Sequence, residues 1–409
     1  LKISRSSYIV LFLLLAPLVG SGLQQTTILG QTVGSSGMIS GVLAHGMTAS
    51  EAQMLAASNI TWVSCDVTFN PSDISNWDAV YSLAQQNHLS VMGILDQHLM
   101  NYSNTFTLTD WSNAVTQAVD AFGGVVKTWE IWNEPNYPNN TLGYFDGSPQ
   151  TYVTMLQTAY NDIKAIAPSD TVIGLGGMPL YTADDPTLSD TYAMQAYAWA
   201  QQVVQLGCMS YCDAISVHAY PYGQYYPQIA GALFTNYVQR YSQLCGKPIW
   251  VTEVGQESLS TTWQASQTQQ STFLAQSYSL FQSLNVKAYF WYELSDNYTA
   301  IPNSNFGLFD NNGNPKQAFS TYVSVVNGES PQTTPVETPT ASTTLSPTTN
   351  PTPSLSPSPT QEATSTPTAS ETATATTVAE ENTVSVLITA LAVLVAAATS
   401  ASVKKQRQK

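Results

Sequence analysis

Residues 129–136 read Trp129-Glu130-Ile131-Trp132-Asn133-Glu134-Pro135-Asn136. A short apolar run that breaks into Asn, Glu and Pro is how a buried strand ends at a polar rim. Eight such runs lie along the body of the chain: Met38–Ala44, Thr61–Val67, Leu89–Leu95, Lys127–Glu134, Thr171–Met178, Asp213–Tyr220, Lys247–Val254 and Val286–Glu293. They are rich in Val, Ile, Trp and Gly, the mark of parallel strands covered on both faces. Helical patterns separate them, for example Ala49–Ser58 and Pro149–Ile166. The second carries Tyr152, Leu156, Tyr160 and Ile163 at helical spacing and stops near Pro168. Eight β-then-α units within residues 27–328 match the number and size of an α/β (β/α)8 TIM barrel. A doubly wound sheet needs a Gly-rich phosphate turn after its first strand, and none follows Met38–Ala44.

A barrel of this kind carries its chemistry at the C-terminal ends of the strands. In order, those ends are Ala44-His45, Asp66, Asp96-Gln97-His98, Asn133-Glu134, Gly177-Met178, His218-Ala219-Tyr220, Glu253 and Trp291-Tyr292-Glu293. Polar and aromatic groups gather there while the strand bodies stay apolar. The body has only six glutamates, and two of them, Glu134 and Glu253, close the fourth and seventh runs. Cleavage of an acetal needs one acid to protonate the leaving oxygen and one carboxylate to meet the oxocarbenium-like carbon. Two carboxyls that close together cannot both ionise easily, so one is raised and serves as the acid.

Trp-Asn-Glu-Pro at 132–135, His-Ala-Tyr at 218–220, Trp-Val-Thr-Glu at 250–253 and Phe-Trp-Tyr-Glu at 290–293 make the sequence resemble the clan A glycoside hydrolases, retaining barrel enzymes that include families 5, 39 and 51. The resemblance implies that Glu134 is the acid/base, Glu253 the nucleophile and Asn133 a ligand of the sugar 2-hydroxyl. It further implies that His218 and Tyr220 orient the two carboxylates and that Trp291 forms the floor beneath the cleaved sugar. A β-linked oligo- or polysaccharide is the substrate class implied, and loop aromatics such as Tyr137, Tyr144, Tyr222 and Tyr298 suit it by stacking on sugar faces. The sequence departs from the clan in one place. Many members carry an arginine late on strand two, where this chain reads Val63-Ser64-Cys65-Asp66. A barrel that binds glycans without cleaving them is the competing reading, and retention of both carboxylates separates the two.

Other polar residues divide between site and scaffold. His45, Asp96 and His98 stand where they can touch a sugar. Glu130, four residues before Glu134, reads as a deeper structural carboxylate. Glu293 and Asp296 read as solvated loop residues, with substrate contact as the alternative. The four histidines show no metal-ligand spacing, so neither a metal nor another cofactor is expected. Cys65 reads as a buried free thiol, and a disulfide joining Cys212, or Cys208, to Cys245 is an expectation for an oxidising compartment.

The charge balance of -15 from 27 acidic and 12 basic side chains argues against nucleic-acid binding. Six of the basic residues lie at the two ends. Residues 1–22 carry Lys2 and Arg5 ahead of an apolar run, the layout of a signal peptide. Residues 329–383 hold 18 Thr, 9 Pro and 8 Ser with no aromatic, a linker that cannot bury a core. Val384–Val403 has no charge and is long enough to span a bilayer, and Lys404, Lys405, Arg407 and Lys409 in the tail 404–409 set the cytoplasmic side. The expected arrangement is a monomeric barrel on the extracellular face, tethered by a C-terminal transmembrane helix. Sequons at Asn59, Asn101, Asn139 and Asn297 fit such a glycoprotein surface.

Overall fold

The computed structural model describes residues 37–70, 74–137, 141–180, 191–221, 228–259, 266–296 and 305–329. The signal-like start, the Thr/Pro/Ser linker and Val384–Val403 lie outside them, as do Tyr222, Tyr298 and the sequons at Asn139 and Asn297. Among the described residues no helix is long and apolar enough to cross a membrane.

Eight parallel strands close into a barrel in sequence order: β1 Ile39–Leu43, β2 Trp62–Asp66, β3 Ser90–Leu95, β4 Val126–Ile131, β5 Thr171–Pro179, β6 Ala214–Ala219, β7 Ile249–Val254 and β8 Ala288–Trp291. The helices that follow them are α1 Ala49–Ala57, α2 Ile74–Gln86, α3 Leu108–Phe122, α4 Pro149–Ile166, α5 Thr191–Gln205, α6 Gln228–Cys245, α7 Gln267–Ser283 and α8 Gln317–Val326. All eight expected strands are present. The fourth stops at Ile131 rather than running to Glu134, and the eighth stops at Trp291. In both, the chain leaves the ladder just before the polar residues of the candidate site.

Local chemistry fixes the helix starts. Thr48 with Glu51 and Thr107 with Asp110 form reciprocal capping pairs that satisfy otherwise orphaned N–H groups. Ser148 caps α4 with Pro149 at its first position, where no backbone N–H is needed. The buried face of α4 is Tyr152, Leu156, Ala159 and Ile163; Tyr160 is displaced to the rim, against Tyr211.

Inside the barrel, the lower plug is Ile39, Trp62, Met92, Ile173, Ala214, Trp250, Ala288 and Phe290. Trp62 meets Trp250 edge-on at 5.7 Å, and Trp250 stacks on Phe290 at 6.1 Å. Above the plug the interior positions turn polar, with Ser64, Thr128, Glu130, Ser216 and Thr252 all buried. The ladder also loses register between Gly174 and Met178, between Val217 and His218, and between Val251 and Val254. Such irregularities re-aim side chains, and three consecutive pairings have them where β5 to β8 approach the mouth.

The four cysteines are buried free thiols, so the expected bridge to Cys245 is absent. Burial lifts the Cys212 thiol to about 11 and the Cys245 thiol to about 12, which keeps both protonated and slow to exchange. The seam between β8 and α8 is closed by an ion pair: Lys316 Nζ lies 2.9 Å from both Asp296 oxygens and also donates to Ser258 Oγ. Asp296 is therefore a buried partner of a lysine rather than a solvated loop residue. Burial raises Asp296 and lowers Lys316, the directions expected when two charges are taken out of water together. Breaking such a pair strands one charge. Lys316→Ala is expected to cost about 3–5 kcal/mol in urea unfolding, with Lys316→Ala/Asp296→Ala recovering part of that loss; equal losses in the single and double variants would contradict the pairing.

Candidate active site

Glu134 reaches the mouth because the backbone turns sharply after β4. Trp132 and Glu134 both take left-handed conformations, at φ 71° and 44°, which few non-glycine residues adopt. Surrounding contacts hold the turn. Trp132 is buried against Phe145 at 4.9 Å and Trp111 at 5.9 Å, while its N–H donates to Leu95 O. The Glu134 N–H donates to Gly176 O at 2.6 Å. Gly176 and Gly177, at φ 55° and 75°, make room on β5. A Cβ on Gly176 would sit 2.7 Å from Ile131 O, and one on Gly177 only 2.1 Å from His218 Nε2. Two glycines thus admit the backbone of Ile131 and Trp132 at the end of β4 and the ring of His218. The sequence pattern placed Gly177 at a strand end without revealing that use.

His218, on β6, is almost fully buried and stands between the two carboxylates. Its Nδ1 lies 2.9 Å from Glu134 Oε1 and 3.5 Å from Glu253 Oε2. Tyr220 Oη donates to Glu253 Oε2 at 2.6 Å. Below them, Glu130 accepts from Thr252 Oγ1 at 2.9 Å, in the deeper position expected of it. Asn133 is half-buried between the two left-handed residues.

Burial sets the electrostatics. It lifts Glu134 to about 8. It also lifts Glu253, to about 7; the nearby Glu134 and Glu130 push it further, while His218 and the Tyr220 hydroxyl hold it down. Both carboxyls face His218, and Glu253 also accepts from the Tyr220 hydroxyl, which favours its ionised form, so it ionises first.

The other strand ends complete the rim. His45 Nδ1 is 3.7 Å from Asp66 Oδ2 and its Nε2 is 3.7 Å from Glu293 Oε2. Asp96 Oδ1 accepts from the His98 backbone N–H at 2.8 Å and lies 3.1 Å from His98 Nδ1. Glu293 is buried rather than solvated, because the chain folds inward after β8. Trp291 is placed differently from expectation. It is fully buried on the helix side, 6.1 Å from Phe273 of α7, with Nε1 donating to Phe306 O. The half-buried ring facing the mouth is Tyr292, at 5.8 Å from both His45 and Tyr220. The alternation of side chains along β8 carries the signal, since Phe290 points inward and Tyr292 shares its parity. Among the described residues one group has metal-ligand spacing, Asp66, Asp96 and His98, whose ligand atoms lie within 4.8 Å of one another.

An eight-stranded parallel barrel with two half-buried carboxyls at its C-terminal mouth is the arrangement that a glycoside hydrolase uses. The chain belongs to the glycosyl hydrolase catalytic core family, whose model matches residues 65–322. The resemblance to clan A agrees with that membership. Solved structures with the same fold include the native xylanase 10B of Thermotoga maritima, at 18% identity and TM-score 0.52, covering 72% of this chain and 96% of that one. A glucosidase from Croceicoccus marinus aligns at 14% identity and TM-score 0.52, covering 73% of this chain and 69% of that one. An exo-beta-1,4-mannosidase from an Opitutaceae bacterium aligns at 14% identity and TM-score 0.53, covering 73% and 62%. At these identities the likeness shows the fold. A search of the curated proteins finds no match.

The raised carboxyls link protonation to stability. Between the ordinary value of 4.5 and the folded values of about 7 and about 8, the folded state keeps protons that the unfolded state releases. Stability from these groups is therefore present at low pH and lost as pH rises through that window. Glu134→Gln and Glu253→Gln are expected to melt higher than the parent at pH 8 and level with it at pH 4. A calorimetric scan in which the differences were the same at both pH values would refute the shifts.

Proposed function

We propose that the protein is a retaining glycosidase that cleaves β-linked oligo- or polysaccharides by double displacement, with Glu134 as acid/base and Glu253 as nucleophile. The observation that carries this reading is the shared imidazole. One His218 nitrogen lies 2.9 Å from one carboxyl and 3.5 Å from the other. Sharing one imidazole nitrogen holds the two carboxyls close together, which supports the ~5–5.5 Å spacing of a retaining pair over the ~6.5–9.5 Å that an inverting enzyme needs to seat a water. The pKa order supports the same roles. The carboxyl bonded to Tyr220 is the easier to ionise, as a nucleophile must be, and the higher one keeps the proton that the leaving oxygen takes. Asn133 stands beside Glu134 to meet the sugar 2-hydroxyl, and Tyr292 offers the apolar face that Trp291 cannot.

Four measurements test these roles. Glu253→Gln is expected to lower kcat by about 10³-fold or more while the chain stays folded, since nucleophile loss removes a whole catalytic step. A slow 2-fluoro glycoside is expected to label Glu253 in mass spectrometry; a label on Glu257 or Glu293 would move the site. Proton NMR is expected to show the β-anomer as the first product from a β-linked substrate. In pH dependence, kcat/KM is expected to rise as Glu253 ionises and fall as Glu134 loses its proton. Tyr220→Phe removes a donor to the Glu253 carboxylate, so its acid limb is expected to move to higher pH. An unmoved limb would show that the tyrosine does not tune the nucleophile.

The site of action is part of the proposal. The signal-like 1–22, the linker 329–383 and the apolar Val384–Val403 before four basic residues support a barrel held on the outer face of the cell membrane. The full chain is expected to stay with membranes through high-salt washing, and protease on intact cells is expected to release active barrel by cutting within 329–383. Release by salt alone would overturn the anchor.

A further inference from the structure

Across the barrel from His218, the ends of β2 and β3 carry two buried carboxyls, Asp66 and Asp96, that face one imidazole. His98 Nδ1 lies 3.1 Å from Asp96 Oδ1 and 3.7 Å from Asp66 Oδ1, and Tyr102 Oη meets its Nε2 at 2.9 Å. Asp66 is 6% exposed, yet its Oδ2 has no hydrogen-bond partner, because His45 Nδ1 at 3.7 Å is beyond reach. Trp77 packs edge-on against His45 at 6.2 Å and His98 at 6.0 Å. Its Nε1 is also buried without a partner. The wall therefore holds one unmet acceptor and one unmet donor. A buried acceptor left in that state is costly, and at the end of β2 Asp66 Oδ2 calls for a ligand that donates to it. A sugar hydroxyl can donate to that oxygen and still accept from another donor.

The wall is continuous with the carboxylate pair. Tyr292 touches His45 on one side and Tyr220 on the other, and Tyr220 holds Glu253. Its charge is also one-sided. The ion-pair partners of Asp66 and Asp96 are histidines, and the lysine ion pairs of the described residues go to Asp170, Asp213 and Asp296. Arg240 stacks on Tyr197 and Tyr237 in the helix layer. An incoming carboxylate or sulfate would meet like charge at this wall, where no lysine or arginine ion pair lies among the described residues.

We propose that Asp66, backed by Asp96 and His98, is the specificity wall of the sugar site, reading the hydroxyls of a neutral glycan residue and turning away uronic acids and sulfated sugars. This rests on the glycosidase reading of the same mouth, and its test is a binding measurement that does not depend on turnover. The Glu253→Gln chain is titrated calorimetrically with β-linked gluco-, manno-, xylo- and galacto-oligosaccharides and with oligoglucuronates and a sulfated xylo-oligosaccharide. At least one neutral series is expected to bind, and the anionic probes about a hundredfold more weakly. Asp66→Asn in that background is expected to weaken the neutral ligand by about ten- to a hundredfold and to narrow the gap to the anionic probes. A merely structural role would lower both affinities together and leave the ratio unchanged. Should Asp66→Asn fail to fold, Asp96→Asn carries the same expectation. Anionic probes that bind as tightly as neutral ones, no neutral series that binds, or an unmoved ratio would each overturn the proposal. So would a calcium titration that binds the parent and not Asp66→Asn, with chelator abolishing sugar binding, since the cluster would then be a cation site. Labelling of Glu253 is read separately, so loss of the wall leaves the mechanism standing, and loss of the mechanism leaves the wall testable.

Discussion

One imidazole organises the mouth of this barrel. His218 is buried between two carboxyls that repel each other when ionised, and it lies within 3.5 Å of both. Moving two like charges out of water is expensive, and the cost is offset by neighbouring donors and by carboxyls that hold their protons to higher pH. Much of the surrounding geometry follows from seating that ring. Gly177 must lack a Cβ where the ring lies, Gly176 must admit the β4 backbone, and the ladder must slip between Val217 and His218. The strain at Trp132 and Glu134 belongs to the same arrangement, since it turns the fourth strand end toward the imidazole.

The rest of the barrel holds that arrangement still. The lower interior is a dry plug of tryptophan, phenylalanine and isoleucine, which fixes the radius of the barrel. Above it, Glu130 bonded to Thr252 forms a polar layer that adds a negative field beneath Glu253. That field raises Glu253, and Tyr220 acts against it. The balance leaves both carboxyls above their usual range, Glu253 near 7 and Glu134 near 8. Around the outside, capped helices and the buried Lys316–Asp296 pair close the last β/α unit onto the first, where Tyr322 Oη donates to Gly41 O at 2.8 Å.

Charge is distributed with the same economy. Few cations are present, and those with partners among the described residues sit in the helix layer, at strand starts or in the closing seam. Among the described residues, the groups at the mouth include histidines, carboxyls, tyrosines and Asn133. Such a surface recognises ligands through hydroxyl hydrogen bonds and ring contacts rather than through ion pairing. It also separates the two sides of the site: His218 with its carboxylates on the β4, β6 and β7 side, and His98 with Asp66 and Asp96 across from them.

The sequence by itself determined the eight strands, their order, and the two glutamates at the ends of the fourth and seventh. Strand ends are legible because apolar runs must stop where water begins, and because two carboxyls beside buried tryptophans are costly without a purpose. Glu134, Glu253, His218 and Tyr220 could therefore be read before any coordinates. The tertiary structure decided what depends on direction and distance. It turned Trp291 away to the helix layer and brought Tyr292 inward, since parity along β8 fixes which face each ring takes. It buried Glu293 and Asp296, which look like loop residues in a linear chain, and it left three thiols unbridged that spacing had suggested could pair. It brought Asp66, Asp96 and His98 together from two strands, and it gave Gly176 and Gly177 their purpose. Contacts between residues far apart in sequence arise only on closure of the barrel, so no local pattern can announce them.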